Sequence, residues 1–390
     1  MTASWAEWID DQCRLIDAAG QWRAPRDFDA AGPEGLLSVD PGAPPTAPVV
    51  SFASNDYLGL TQHPAGKAAA REAIERWGTG AGAARLVVGA RSLHRDLEGA
   101  LAAWRGSEAA LLFPTGFAAN LGVLTTFGAP GVRICSDELN HASIIDGCRL
   151  ARAEATVYGH GDLDHLDDLL GAAPGRSIVV TDTVFSMDGD VAPLDGIIER
   201  CLRHGAMLVL DEAHAVLGPH PDLQAMPDLA VARVGTLSKT LGSLGGFVAG
   251  SRRMTELLIN RARPFIFTTA STPADTAAAM ANLAVLRSAA GDALCARLRA
   301  NVDRLAPGHP SPILPIIVGD ERDAVAASAA LLQRGLLVPA IRPPTVAPGT
   351  SRLRIALSAA HTDAQLDALG TALDDLGLRP SPSAARSGTR

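Results

Sequence analysis

Between residues 109 and 249 the chain alternates short apolar runs with stretches of helical periodicity, and no other feature of the sequence restricts the fold as much. The runs fall at 109–113, 132–135, 155–158, 177–181, 207–210, 229–234 and 247–249, with helical patterns at 118–126, 143–152, 163–170 and 194–203 between most of them. Apolar runs of this length read as strands buried on both faces, and the helices between them are the crossovers that parallel pairing requires. An open α/β sheet with helices on both faces is expected. Ligands of such sheets gather beyond the carboxyl ends of the strands, so the residues just after each run matter most.

Those residues share a chemistry. Pro114-Thr115-Gly116-Phe117 opens a helix whose free N–H groups and dipole favour a phosphate. Asn140-His141, Asp182 with Ser186, and Asp211-Glu212-Ala213-His214 follow later runs, and Lys239 stands in a turn rich in glycine and hydroxyl residues between Val234 and Val248. A lysine in an enclosed apolar site loses hydration of its charged form, so its pKa falls and its neutral amine can condense with an aldehyde. Each residue alone has a structural explanation: a surface lysine, a satisfied core histidine, an aspartate capping a helix. Five such positions on one sheet edge favour a shared site.

Pyridoxal phosphate (PLP) on Lys239 would account for the set. Its ring nitrogen needs a buried carboxylate, for which Asp211 is placed, and its phenolic oxygen could bond to His214 and Ser186. His141 is flat enough to cover the ring. The phosphate would take N–H groups of Gly116 and Phe117 with the hydroxyls of Thr236 and Ser238.

The flanks are less regular. Residues 5–18 form an amphipathic helical pattern, followed by a Pro/Gly-rich passage to Pro48 with a short hairpin; Arg23 and Arg26 lie between them, and either could meet a substrate anion or only solvent. Helical patterns at 65–77 and 93–104 flank Gly78-Thr79-Gly80-Ala81-Gly82, which lacks the preceding strand of a dinucleotide fingerprint and reads as a turn. After an Ala-rich helix over 273–288 come strand-like runs at 313–318, 336–340 and 353–357 with helices over 324–334 and 364–376, a second α+β unit. The expected division is an N-terminal arm (1–48) packed on the small domain, a large domain (49–290), a small domain (291–378) and a disordered tail (379–390).

A formal charge of −8 without a basic run argues against nucleic acid or an anionic membrane as partner. No apolar run is long enough to span a bilayer, and the first residues lack a secretory apolar segment. Five scattered cysteines without a C-x-x-C pair predict reduced thiols, a cytoplasmic location and no structural metal.

The chain resembles the α-oxoamine synthases, PLP-dependent acyltransferases, from about residue 5 to 376. The resemblance rests on Ser54-Asn-Asp-Tyr-Leu-Gly-Leu60, Thr115-Gly-Phe-Ala-Ala-Asn120, Asn140-His-Ala-Ser143, Val184-Phe-Ser-Met-Asp-Gly-Asp190, Asp211-Glu-Ala-His214 and Thr236-Leu-Ser-Lys239. It implies PLP-dependent transferase fold type I, aspartate-aminotransferase-like, with a mostly parallel large-domain sheet and a smaller α+β C-terminal domain. It also implies that Lys239 is the Schiff-base lysine and proton shuttle, Asp211 the partner of the ring nitrogen, His141 the stacking residue, and His214 and Ser186 ligands of the phenolic oxygen. Arg354 would grip the amino acid carboxylate, with Asn55, Arg342, Thr345 and Arg23 near the substrate. Thr268 and Thr269 would reach the phosphate of a neighbouring subunit, implying a homodimer with shared sites.

Ala340-Ile-Arg-Pro-Pro-Thr-Val346 and Arg352-Leu-Arg-Ile-Ala-Leu-Ser-Ala-Ala-His361 are most similar to the branch of the family that condenses L-alanine with a pimeloyl thioester of CoA or acyl carrier protein in biotin synthesis. Glycine C-acetyltransferase, 5-aminolevulinate synthase and serine palmitoyltransferase chemistry remain alternatives, as do a PLP aminotransferase and a lyase. One departure is Ala215-Val216, where relatives often carry a small Gly or Ser. The DEAH tetrad also occurs in helicases, but the phosphate loop they need is absent from the sequence.

Overall fold

The computed structural model describes residues 4–173 and 175–380. Ahead of the long alternation, the chain forms a helix at Trp5–Ala18, opened by a capping box between Ser4 and Glu7, and then three short strands. These strands, β1 (Phe28–Ala30), β2 (Glu34–Ser38) and β3 (Pro45–Ser51), pair antiparallel in sequence.

The seven apolar runs form one sheet. Its strands are β4 (Ala109–Phe113), β5 (Val132–Asp137), β6 (Glu154–Tyr158), β7 (Arg176–Asp182), β8 (Met207–Asp211), β9 (Val231–Thr236) and β10 (Gly246–Gly250), in the order β4-β10-β9-β8-β7-β5-β6. From β6 to β9 all pairing is parallel. On β7 and β9, Ile178, Val180, Ala232 and Val234 join one apolar core, while Val179 on β7 and Leu208 and Leu210 on β8 join the core of the opposite face. Both faces are therefore covered, which is why the runs read as continuously apolar.

The strand expected at 229–234 lies two residues later, and β10 runs antiparallel to both neighbours. Residues 237–245 are too few for a crossover, so the chain can only turn back. Gly246 on β10 pairs with both Thr236 and Phe113, which brings the ends of β9 and β4 to one level.

C-terminal to these, β11 (Ile313–Gly319), β13 (Ala340–Ile341) and β14 (Ser351–Ala356) form a sheet in the order β11-β14-β13, and β12 (Leu336–Leu337) pairs parallel with β3. The run at 336–340 thus divides between two sheets, with Pro339, which has no N–H for a ladder, in between. The helix at Ala289–Leu305 was not anticipated: the Ala-rich pattern ends at Leu286 and a new helix starts from a Ser288 cap. The tail expected at 379–390 lies, from residue 381 onward, outside the described residues. No described helix is long and apolar enough to cross a membrane.

A Cβ on Gly246 would meet the carbonyl carbon and oxygen of Thr115 at 2.4 Å and the nitrogen of Gly116 at 2.5 Å. These are backbone atoms of the turn before the next helix and cannot rotate away. Gly246→Ala is therefore expected to destabilise the protein by about 1–3 kcal/mol, measured by urea unfolding; an unchanged midpoint would show that the turn yields freely.

Candidate active site

The carboxyl ends of β4, β5, β7, β8 and β9 deliver most of the residues singled out in the sequence to one crevice. In register, Asp182 at the end of β7 lies opposite Asp211 at the end of β8, and Asp211 opposite Val234 on β9. Both aspartates are buried. One Asp211 oxygen accepts the Nδ2 hydrogen of Asn120 at 2.6 Å and the other the N–H of Ala213 at 2.9 Å. The same Asn120 amide donates to Ser143 Oγ at 2.9 Å, and that hydroxyl lies 2.8 Å from His141 Nδ1. His141 Nδ1 also accepts the N–H of Ser143 at 3.2 Å, so the ring nitrogen left to carry a proton is Nε2.

Burial holds His141 below its ordinary pKa, against the pull of Asp211. The backbone N–H of His141 donates to Asp182 at 2.7 Å, yet burial and the charge of Asp211 raise Asp182 well above the usual carboxylate range. The crevice thus combines one shielded carboxylate with a neighbour biased toward its neutral form.

Lys239 lies just past β9 and approaches from the other side. The residue as a whole is partly exposed while its amine is enclosed, and burial lowers its pKa against the opposing charges of Asp211 and Asp182. Its Nζ is 2.7 Å from His214 Nε2, and His214 Nδ1 is 2.6 Å from the Tyr57 hydroxyl. Burial and the lysine charge keep His214 neutral, with a pKa well below the ordinary histidine value. Burial pushes the Tyr57 hydroxyl up to about 12. Tyr57 donates onward to Asn55 Oδ1 at 3.2 Å, which also accepts from Arg354 Nη2 at 3.1 Å. A hydrogen-bonded row therefore joins the amine to a buried guanidinium.

Arg354 is fixed at its other edge by the carbonyl of Ser186, 2.5 Å from Nε. Ser186 thus meets the site through its backbone. Gly116 opens the helix Gly116–Phe127 beside Thr236, where a Cβ on the glycine would come within 3.3 Å of the threonine Cβ. Thr236 Oγ1 and Ser238 Oγ are 2.7 Å apart, so hydroxyls and helix N–H groups converge on one spot suited to an oxyanion. Phe117 stands edge-on to His141, with centroids 6.5 Å apart.

The remaining sequence candidates lie elsewhere. Arg342 donates to the Gly20 carbonyl at 2.6 Å and Arg23 to the Pro343 carbonyl at 3.1 Å, so these two arginines stitch the N-terminal segment to the turn that holds Thr345. No hydrogen bond among the described residues links this group to Lys239. Thr268 is partly exposed and Thr269 exposed, next to Leu86, Val87, Val88 and Phe267, which are 54%, 72%, 70% and 69% exposed. The sequence assigns no role to Asn120, Ser143 and Tyr57, and places Asp182 on the shared edge without naming its partners. A signal existed for Asn120: it is the one polar residue among the buried ones of a mostly apolar helix.

A model of the family described as aminotransferase class I and II matches residues 47–373. Over 389 residues the chain is 48% identical to the 8-amino-7-oxononanoate synthase of Anaeromyxobacter dehalogenans, covering 95% of this chain and 96% of that protein. It is 47% identical over 395 residues to the enzyme of the same name from Anaeromyxobacter sp., covering 97% and 98%. Among solved structures it is similar to a serine palmitoyltransferase of S. paucimobilis with a bound PLP–myriocin aldimine, at a TM-score of 0.86 and 29% identity over 96% of this chain and all of that one.

Two measurements probe the crevice. Asn120→Leu keeps the shape but takes the amide donor from one Asp211 oxygen and from Ser143 Oγ, so a loss of about 1–3 kcal/mol in denaturant unfolding is expected; an unchanged stability would show that water replaces the amide. For Lys239 the sign follows from its lowered pKa: between that value and 10.5 the folded protein binds fewer protons than the unfolded chain, so this residue's contribution to stability rises with pH across that window. Lys239→Met should therefore make the cofactor-free protein more stable at pH 7, an advantage that vanishes as the pH passes 10.5. A methionine variant less stable at pH 7 would contradict the enclosed, disfavoured charge.

Proposed function

The chain belongs to the aminotransferase class I and II family, and we propose that it catalyses the decarboxylating condensation of L-alanine with a pimeloyl thioester, carried by CoA or acyl carrier protein, to 8-amino-7-oxononanoate in biotin biosynthesis. The observation that carries the choice of substrates is the 48% identity, over nearly the full chain, to a synthase of that name.

Pyridoxal phosphate is the cofactor, and the residues present fit it. An amine with a lowered pKa, a buried carboxylate braced by Asn120, and a cradle of Gly116, Thr236 and Ser238 meet in one crevice. When bound, PLP supplies an aldehyde for the lysine and a ring that accepts the electrons released at the alanine α-carbon.

In this reading Asp211, held by Asn120 and the Ala213 N–H, faces the ring nitrogen, and His141 covers the ring face. His214 and Ser186 flank the phenolic oxygen. Gly116, Phe117, Thr236 and Ser238 take the phosphate, joined by Thr268 and Thr269 of a second copy. The exposed apolar residues around those threonines support a homodimer with shared sites.

Arg354 receives the alanine carboxylate. Its Nε and Nη2 are oriented by Ser186 and Asn55, while its Nη1 donates no hydrogen bond among the described residues. Arg342, Thr345 and Arg23 belong to the approach of the acyl chain. The neutral amine of Lys239 removes the α-proton, with His214 and Tyr57 behind it to hold the charge that results. A carbon–carbon bond then forms at the pimeloyl carbonyl, the thiol leaves, carbon dioxide departs, and Lys239 returns a proton to the α-carbon. The division at 48/49 and 290/291 and a cytoplasmic location, in keeping with the five free thiols, belong to the same proposal.

Serine palmitoyltransferase chemistry is the second reading, favoured by the backbone similarity to that enzyme. Purified holoenzyme with L-alanine and pimeloyl-CoA is expected to release free thiol and carbon dioxide in equal amounts, with neither released when one substrate is omitted. Lys239→Ala should lower turnover by at least about 10²-fold. Thiol release with L-serine and palmitoyl-CoA instead would select the second reading, and release with neither pair would overturn both.

A further inference from the structure

Glu212 follows Asp211 directly, so its side chain leaves the strand toward the opposite face of the sheet, away from Lys239. There it meets two arginines. Arg233 donates from Nε to both carboxylate oxygens at 3.1 Å and from Nη2 to one of them at 2.6 Å, and its Nη1 donates to the Arg105 carbonyl at 3.0 Å. Every edge of that guanidinium has an acceptor. Arg105, the last residue of the helix Ser92–Arg105, is less well placed. Its Nε is 3.4 Å from Glu212 and buried without a hydrogen-bond partner. Its guanidinium stacks on Trp104 at 3.7 Å and donates no hydrogen bond among the described residues.

The charges do not balance. Two guanidiniums share one carboxylate, and the three side chains are 7%, 9% and 0% exposed. A buried excess cation is expensive unless an acceptor reaches it. The Arg105 side chain opens on a cavity of about 280 Å³ whose lining also includes Gly106, His220, Gln224 and Arg233. The one carboxylate on its rim, Asp222, is exposed and accepts the N–H of Gln224 at 3.2 Å. Burial also pushes both Arg105 and His220 below their ordinary values, so the histidine adds a neutral ring and the arginine the charge.

We propose that this cavity is a binding site for a small oxyanion, a carboxylate or a phosphate, seated against the unpartnered donors of Arg105 between His220 and Gln224. Guanidinium recognition of either group is geometrically natural, because parallel N–H donors match two oxygens. The site lies across the sheet from the crevice of Lys239, and the inference is independent of the reaction proposed above. One residue step connects the two faces: Asp211 and Glu212 share a backbone, so an anion that repositions Glu212 also bears on the carboxylate beside the cofactor.

The test is thermal unfolding of the holoenzyme with inorganic phosphate or with malonate, at an ionic strength held constant with sodium chloride. Saturable binding should raise the melting temperature by roughly 1.5 °C for each tenfold increase above the dissociation constant. Two variants accompany the wild type. Arg105→Gln removes the guanidinium with its charge and paired donors, and Gln224→Glu, on an exposed loop, tethers a carboxylate at the cavity. Both should lose the response, and Gln224→Glu should melt higher than the wild type in chloride alone.

Malonate can also reach Arg354, which all three enzymes retain, so only the difference between wild type and variant reports on the cavity. A response to phosphate alone assigns a phosphate-bearing ligand, a response to malonate alone a carboxylate, and a response to both their shared chemistry. No wild-type response, or one that Gln224→Glu retains in full, overturns the site. Should Arg105→Gln fail to fold, Gln224→Glu decides.

Discussion

Asp182 and Asp211 end adjacent parallel strands at the same level, and the organisation of the crevice follows from having to keep two buried carboxylates side by side. Left alone, the pair would repel in a medium that screens poorly. The His141 N–H faces one of them, the Asn120 amide and the Ala213 N–H face the other, and the amine of Lys239 supplies the opposing charge. Burial pulls the other way on each group, raising Asp182 and lowering Lys239. The result is an amine held below the ordinary lysine value by burial even though two carboxylates stand beside it.

The same strand geometry separates two kinds of chemistry by one residue. Asp211 faces the crevice and Glu212 the opposite side, where it is bound to Arg233 across the β8–β9 pair. Arg233 stands between Ala232 and Val234, which pack into the core of the other face, so a charged residue occupies a strand that otherwise reads as apolar. Such a residue is tolerated because its partner emerges from the neighbouring strand at the matching level. The polar centre on the far face is thus a consequence of period-2 alternation applied to the DEAH segment.

Much of this was legible in the sequence, for identifiable reasons. Strands buried on both faces are apolar throughout, so they stand out, and a parallel sheet exposes its functional residues immediately after them. On that logic Lys239, Asp211, His214 and His141 are expected at one sheet edge, and the fold brings them together there. The antiparallel turn of β10 was available from the nine residues between 237 and 245. Asn120 is harder, because a single asparagine in a mostly apolar helix states that a buried partner exists without naming it. Tyr57 is harder again: its partner, His214, is 157 positions away, and only the folded chain brings them within 2.6 Å. For Arg354 the family resemblance supplied the expectation that spacing could not.

Arg354 also explains why the site belongs to the whole chain. On β14, Arg352 and Arg354 project to one side while Leu353 and Ile355 pack into the apolar core on the other. Both arginines reach the turn after β7: Arg352 bonds Asp188, and Arg354 bonds the Ser186 carbonyl. Arg354 continues to Asn55, which lies between the N-terminal strands and the large sheet. Arg352 also donates to the carbonyl and hydroxyl of Thr350 two residues away, but Arg354 finds its acceptors only when three distant segments have packed together, since neither of them is local. Desolvation therefore penalises every partly docked arrangement and leaves the complete one as the state in which Arg354 has both acceptors. The placement of Arg354, the row of hydrogen bonds to Lys239 and the seating of the C-terminal sheet are in this sense one structural event, and a change at any of the three segments is felt at the amine.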